Sequence, residues 1–245
     1  MPTFNYLGKG SVFMGQKGSG KYLPIGNAPQ LVFNAEEEKN ELPDYENPGG
    51  GIVASVSRIS RVSATVTFND LRPENLEFLL RGTKTVVTGS AVTGESHTAS
   101  LDGYVRLNGI IDPAQPVTVK DSVGTTTFAE GSDYVIMRGG LHIPSTSAIP
   151  DNSTILVDYT SLSGNKVEAL TAGGKEFTMY FDGLNEGKNN TPVIVTVHRV
   201  KPAPFSNLPF IGNDFAAVDV QIDVLKDETI TGSNLSQYFK VEAAI

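Results

Sequence analysis

The stretch IVASVSRISRVSATVTF, Ile52 to Phe68, alternates apolar and polar side chains with a period of two, the pattern of a β-strand with one covered face. Ile52, Ala54, Val56, Val62, Ala64, Val66 and Phe68 supply the apolar positions. Ser55, Ser57, Arg61, Ser63, Thr65 and Thr67 supply the polar ones. Arg58 and Ser60 break the apolar face and Ile59 crosses to the other side, which is the mark of a bulge or a change of partner. At about 3.3 Å per residue the strand would span roughly 55 Å, against a usual length of about five or six residues. Such a strand is expected to run beyond the core of its own domain.

Most of the chain follows the same rule. Glu176–Asp182 places Phe177, Met179 and Phe181 on one face, and VIVTVHRV, Val193 to Val200, is a β-branched run. In Ala217–Leu225, Val218, Val220, Ile222 and Val224 oppose Asp219, Gln221 and Asp223. A last strand is expected from Gln237, and VTVKD, DYVIM with LHI, and TILVDYT are further strands between Val117 and Thr160. One short helix is expected within 70–82: Asp70 as its cap, Pro73 in its first turn, Leu76, Leu79 and Leu80 as its apolar stripe, Arg81 at its carboxyl end and Gly82 just beyond. The segment 34–51 carries Glu36, Glu37, Glu38, Glu41, Asp44 and Glu46 among Pro43, Pro48 and three glycines. It reads as an acidic loop, longer than compact domains usually carry, and so either disordered or ordered from outside the subunit. The expected architecture is mainly β: a single domain over 1–245, a sandwich or half-barrel with one flanking helix and a small β insertion at about 110–161.

The residue types exclude several functions. A formal charge of −8 argues against a grip on nucleic acid or anionic lipid. The absence of cysteine rules out disulfides, thiol nucleophiles and zinc–thiolate sites. Gly15 to Lys21 reads G-x-x-x-x-G-K, one position short of a phosphate-binding loop, but Tyr22 stands where a small hydroxyl is needed. Pro24, Gly26 and Pro29 then forbid the helix that such a loop requires, so a hairpin turn is expected. His97, His142 and His198 fall on separate segments without metal-ligand spacing, DGLNEG has the wrong ligand order for a calcium loop, and Glu36–Glu38 reads as a solvated acidic face. No catalytic set, cofactor or metal is expected; carboxylate pairs of the glycosidase kind stay open, although the lack of Trp disfavours a sugar cleft. MPTFNYLGKG has no basic flank and apolar run of the export type, and no run is long enough to cross a membrane. A soluble protein made and used, or assembled, inside a cell is the expectation.

YLPIGNAPQLVFNAEEEKNELPDYENPGGG resembles the amino-terminal part of the major tail tube proteins of bacteriophages with long, non-contractile tails. The similarity continues through RISRVSATVTFNDLRPENLEFLLRG, TGESHTA, FDGLNEG, PVIVTVHRV and NDFAAVDVQIDVLKDETI to SQYFKV, nearly the whole chain. The resemblance implies a structural virion protein with no enzymatic activity, assembled in the host cytoplasm as homohexameric rings that stack into a tube. Long hairpins from all subunits would close into one β-barrel around the tape measure protein, with tail terminator and distal tail proteins as further partners. DNA would later pass through without specific binding. Contractile-tail inner tubes and type VI secretion tubes share this architecture.

Under that resemblance Ser63, Thr65, Thr67, Asp219, Gln221 and Asp223 are candidate wall residues of the lumen, with Thr178 and Asp182 as an alternative pair. A polar, negative, arginine-poor wall repels phosphate and lets a duplex slide, because no counterion release rewards its sticking. The same residues could instead face outer solvent. Lys17, Lys21, Glu36, Glu37, Glu38, Glu41, Asp44 and Glu46 are candidate contacts between subunits or rings. The competing reading is a β module of decoration or adhesin type, which would stay monomeric or form small oligomers where a tube protein forms rings.

Overall fold

Alternating segments become strands throughout the computed structural model, which describes residues 5–205 and 207–244. Met1–Phe4 of the amino-terminal stretch, Ser206 and Ile245 of the last strand segment lie outside the described residues. The chain divides into two compact units, one holding the residues up to Lys84 and from Val167 onward, the other Thr85–Lys166. The first unit opens with β1 (Gly8–Gln16), β2 (Leu23–Pro24), β3 (Leu31–Pro43), β4 (Ile52–Phe68) and α1 (Pro73–Leu79), and β5 (Thr83–Val87) runs across the boundary between the units. The second holds β6 (Ala91–Thr98), β7 (Gly103–Arg106), β8 (Thr118–Asp121), β9 (Thr127–Phe128), β10 (Val135–Met137), β11 (Gly140–Ile143) and β12 (Thr154–Thr160). The chain returns along β13 (Gly164–Glu168), which pairs with β5, and ends with β14 (Phe177–Asn185), β15 (Thr191–Pro202), β16 (Val218–Val224) and β17 (Phe239–Ala243).

In the first unit one sheet runs in the order β2-β1-β14-β15-β16-β4-β3. Strand β15 gives one edge to β14 and divides the other: Val193–Val197 pair with β17, while Val200–Pro202 pair with β16. That division bends the sheet over on itself. Val66, Met179, Val197, Val220 and Ile222 fill the enclosed space, and Phe33 of β3 stacks on Phe239 of β17 with ring centroids 5.0 Å apart. Each fully buried side chain of this kind contributes about 1.5–3 kcal/mol, so the alternation in β16 and the last third of β4 sets the fold.

Helix α1 follows the expected site with different capping. Pro73 takes the first turn, but the cap residue is Arg72, and Asp70 instead accepts the Arg72 amide at 3.1 Å and pairs with its guanidinium. The fully buried residues are Asn75, Phe78 and Leu79; of the other expected leucines, Leu76 is half-buried against the core and Leu80 is half-buried at the cap. Phe78 meets Phe177 edge to face at 4.9 Å, and the Asn75 side-chain amide donates to the carbonyls of Ile25 and Asp70, both at 2.7 Å. Beyond the helix Arg81, not Gly82, takes the left-handed conformation, with φ 47°. Gly82 is required by proximity: a Cβ there would lie 2.5 Å from the Glu168 carbonyl oxygen.

The second unit packs a four-stranded sheet, β6-β12-β8-β9, and a three-stranded one, β10-β11-β7, around a core of its own that includes Val119, Leu141, Ile143, Ile155 and Val157. It starts at Thr85 rather than near 110, because β6 and β7 complete its two sheets. The sequence between 85 and 109 carries Gly89, Gly94, Gly103 and Gly109 and little alternation, which hid both strands.

Candidate functional site

Strand β4 enters the core only at Val62; Ile52 to Arg61 are all exposed. Its partner there is the acidic segment, which is strand β3 from Leu31 to Pro43 and not a loop. Backbone pairing with the long β4 satisfies the amides and carbonyls on its inner edge, which holds it as a strand although it has little buried face of its own. The register sets Glu36 opposite Arg61 and Glu38 opposite Arg58, and Lys39 pairs with Glu41 at 2.6 Å. Opposite charges across a ladder contribute about 0.2–1 kcal/mol each. The register shifts between Glu36 and Glu37, leaving Ser60 as the extra residue, whose hydroxyl donates to the Glu36 carbonyl at 3.1 Å. This is the bulge expected from the broken alternation, and it moves the outer part of β4 by one position, so no single apolar face runs its whole length.

The tip of this arm is a built turn. The Asp44 carboxylate accepts the Glu46 amide at 2.8 Å, the Asn47 amide at 3.1 Å and the Asn47 side chain at 2.9 Å. The Asn47 side chain, then the Glu46 and Asn47 amides, hold the Asp44 carboxyl below its ordinary value of 3.8. Gly49, Gly50 and Gly51 have φ of 124°, 68° and 139°, and the Asp44 amide closes the turn on the Gly51 carbonyl at 2.8 Å. Glu36, Glu37, Glu38 and Glu41 therefore line a strand, and Asp44 and Glu46 its tip. Leu42, Tyr45, Ile52, Val53, Val56 and Ile59 stand exposed on the same arm, Tyr45 at 84 %. β3 ends the sheet, so its outer edge is unpaired among the described residues.

The six candidate wall residues come together. Ser63 pairs with Asp223, Thr65 with Gln221 and Thr67 with Asp219 on adjacent strands, and Asn34 of β3 extends the row beside Ser63. Thr67 donates its hydroxyl to Asp219 at 2.5 Å, and Arg61 grips Asp223 at 2.6 Å. Asp219 and Gln221 are exposed, but Ser63 and Thr67 are buried. Short side chains sink between longer neighbours, so these two lie beneath the surface instead of forming it. Thr178 and Asp182 belong to β14, away from this row; Thr178 is buried and donates to the His198 carbonyl at 3.1 Å.

Lys17 is not left for a neighbouring subunit: it pairs with Asp227 at 2.6 Å. Gly15–Lys21 is the turn of the β1–β2 hairpin, with Phe13 opposite Pro24 and Met14 opposite Leu23, and no helix starts at Lys21. Lys21 borders a groove of about 300 Å³ floored by Met14, Phe68 and Phe78. On the same groove Glu74 pairs with Lys84 at 2.9 Å and Glu77 with Lys175 at 2.6 Å.

In the second unit, Glu95 accepts the Asn108 amide at 2.8 Å and the Tyr159 hydroxyl at 2.8 Å and meets His97 Nε2 at 2.6 Å. Burial would raise the Glu95 carboxyl, but the Asn108 amide, then His97 and Tyr159, outweigh it and hold it low. The cluster locks β6 to β12; nothing in the spacing of these residues announced it. Among the described residues no group of acids and histidines is arranged to hold a metal, and no helix is long and apolar enough to cross a membrane.

A family model described as "Protein of unknown function UCP028589" matches residues 5–242. The chain belongs to that family. The ends of the match lie in the first unit, and its span includes Thr85–Lys166. Among curated proteins none matches.

Proposed function

We propose that this chain is the structural subunit of a bacteriophage tail tube, in which copies join edge to edge into closed homohexameric rings and the rings stack into the conduit for DNA. The observation that carries this reading is the β3–β4 arm: a two-stranded sheet with an unpaired margin and uncovered apolar side chains. Two strands alone are marginal in water, and an open margin invites pairing with another chain. At the opposite end of the sheet β2 pairs with Phe13 and Met14 of β1 and the Ile25 amide bonds the Val12 carbonyl at 2.9 Å, so among the described residues much of a second margin stays open. Circular closure satisfies both.

The β4–β16 face suits the wall of such a conduit. Asp219 and Gln221 meet solvent, and Asp223 neutralises the Arg61 guanidinium, so the face gives phosphate little reason to bind. The tape measure, terminator and distal tail proteins enter as partners through the resemblance alone, as does a place in the virion. A second reading, a β module that binds a ligand or host surface, draws on Tyr104, Val135 and Met137, which are exposed together on the second unit. Negative-stain microscopy and light scattering of concentrated purified protein separate the two. Rings and tubes are expected; persistent monomers under every assembly condition overturn the tube.

A further inference from the structure

Two apolar features of the first unit lie at opposite ends of one strand and do not meet within one copy. Between β15 and β16 a loop holds Phe210, Ile211 and Phe215 at 77 %, 98 % and 97 % exposure. Large apolar side chains this bare are uncommon unless something covers them. At the other end of β15, Tyr6, Thr191, Val193, Val195, Val241 and Ala243 line an apolar groove of about 670 Å³. The groove opens where β15 begins, and the loop starts where it ends, at Pro202. The length of the twelve-residue strand, roughly 40 Å at about 3.3 Å per residue, keeps them apart. Phe215 lies three residues before Val218 of β16 and is tied to the loop's end of the sheet. The exposure of all three side chains shows that the loop does not fill the groove of its own chain.

We propose that the loop is an axial plug: Phe210, Ile211 and Phe215 of one copy seat in the Tyr6–Val193–Val241 groove of a second copy, head to tail along β15. The inference rests on the self-assembly reading above but concerns a different contact, because the arm joins copies side by side. A plug at one end of a strand and its socket at the other form a heterologous contact, which repeats from copy to copy without closing and leaves only the terminal copies unsatisfied. A second copy is the occupant of choice because the chain itself supplies both halves, each at the end where a stacked neighbour would need it.

The test uses the full-length protein, its loop variant Phe210→Ser/Ile211→Ser/Phe215→Ser and its groove variant Val241→Glu, examined by electron microscopy and sedimentation. The loop variant should keep the wild-type melting temperature, since its three side chains touch little, and should form rings that no longer stack. The groove variant should also give single rings. A mixture of the two leaves one intact plug–socket combination, so ring pairs are expected and longer stacks are not. Normal stacking by the loop variant, or a mixture that stays as single rings, overturns the plug while leaving ring assembly standing. A wild-type protein that forms only a closed reciprocal dimer likewise overturns it, and one that forms neither rings nor stacks overturns both readings.

Discussion

Asp227 ties the amino-terminal hairpin to the carboxyl-terminal strands. Its carboxylate takes Lys17 at 2.6 Å and the Thr229 hydroxyl at 2.7 Å, and these two bonds, Lys17 first, lower its pKa from 3.8 to about 2. A carboxyl with a depressed folded-state pKa stabilises the fold above its unfolded value, and that contribution fades as pH falls from about 4 toward 2. Lys17 is 31 % exposed, so solvent screening trims the effect to about 1–2 kcal/mol. Asp227→Asn should lose that amount at neutral pH and decline less steeply between pH 4 and 2, read by urea unfolding across a pH series. Equal stability at neutral pH would show that the pair contributes nothing net. Asn75 and Glu95 work in the same manner, as polar groups whose worth lies in partners far along the chain.

At the scale of elements, the outer half of the β3–β4 arm contributes little to the stability of its own copy, because none of Ile52–Arg61 is buried. Val53, Val56 and Ile59 are each more than half exposed. Replacing all three by Lys should therefore shift unfolding free energy by no more than about 0.5 kcal/mol per site, the usual range for surface changes. Ring formation, by contrast, should be abolished, since charge on a β margin is the common device against edge pairing. Calorimetry and microscopy on the same sample check both halves; rings from the triple variant would remove the arm from assembly. The arm also shows how an element escapes sequence pattern. β3 alternates only at its start, where Leu31 and Phe33 pack on the core; from Glu36 to Glu41 it has charged residues on both faces, and pairing with β4 keeps that stretch a strand.

For the whole molecule, the division into units has a direct consequence. Thr85–Lys166 encloses its own apolar core, with Tyr134 donating its hydroxyl to the Val117 carbonyl at 2.9 Å, and its ends lie together on the β5–β13 ribbon. A domain with its own core and adjacent termini is expected to fold alone. The excised segment should unfold cooperatively and show the dispersed amide spectrum of a packed β protein; a random-coil spectrum would mean that it needs the rest of the chain. The candidate face was partly legible in the same way. Alternation put Thr65 and Gln221 each on the polar side of its own strand, but their pairing, and which small side chains are covered, came from the tertiary structure.

Period-two alternation alone settled that the apolar side of Val62–Phe68 and of Val218–Val224 would be buried, because a strand sends successive side chains to opposite faces whatever surrounds it. Proline and glycine likewise fixed where the short helix begins and where chain reversals fall. Tertiary structure decided what local chemistry leaves undetermined: that an acidic run is a strand, that Lys17 is already taken, that Ser63 and Thr67 lie under their neighbours, and that a bare loop and a matching groove sit at opposite ends of β15. Each of these depends on residues brought together across long sequence separations, and no short-range pattern encodes such a meeting.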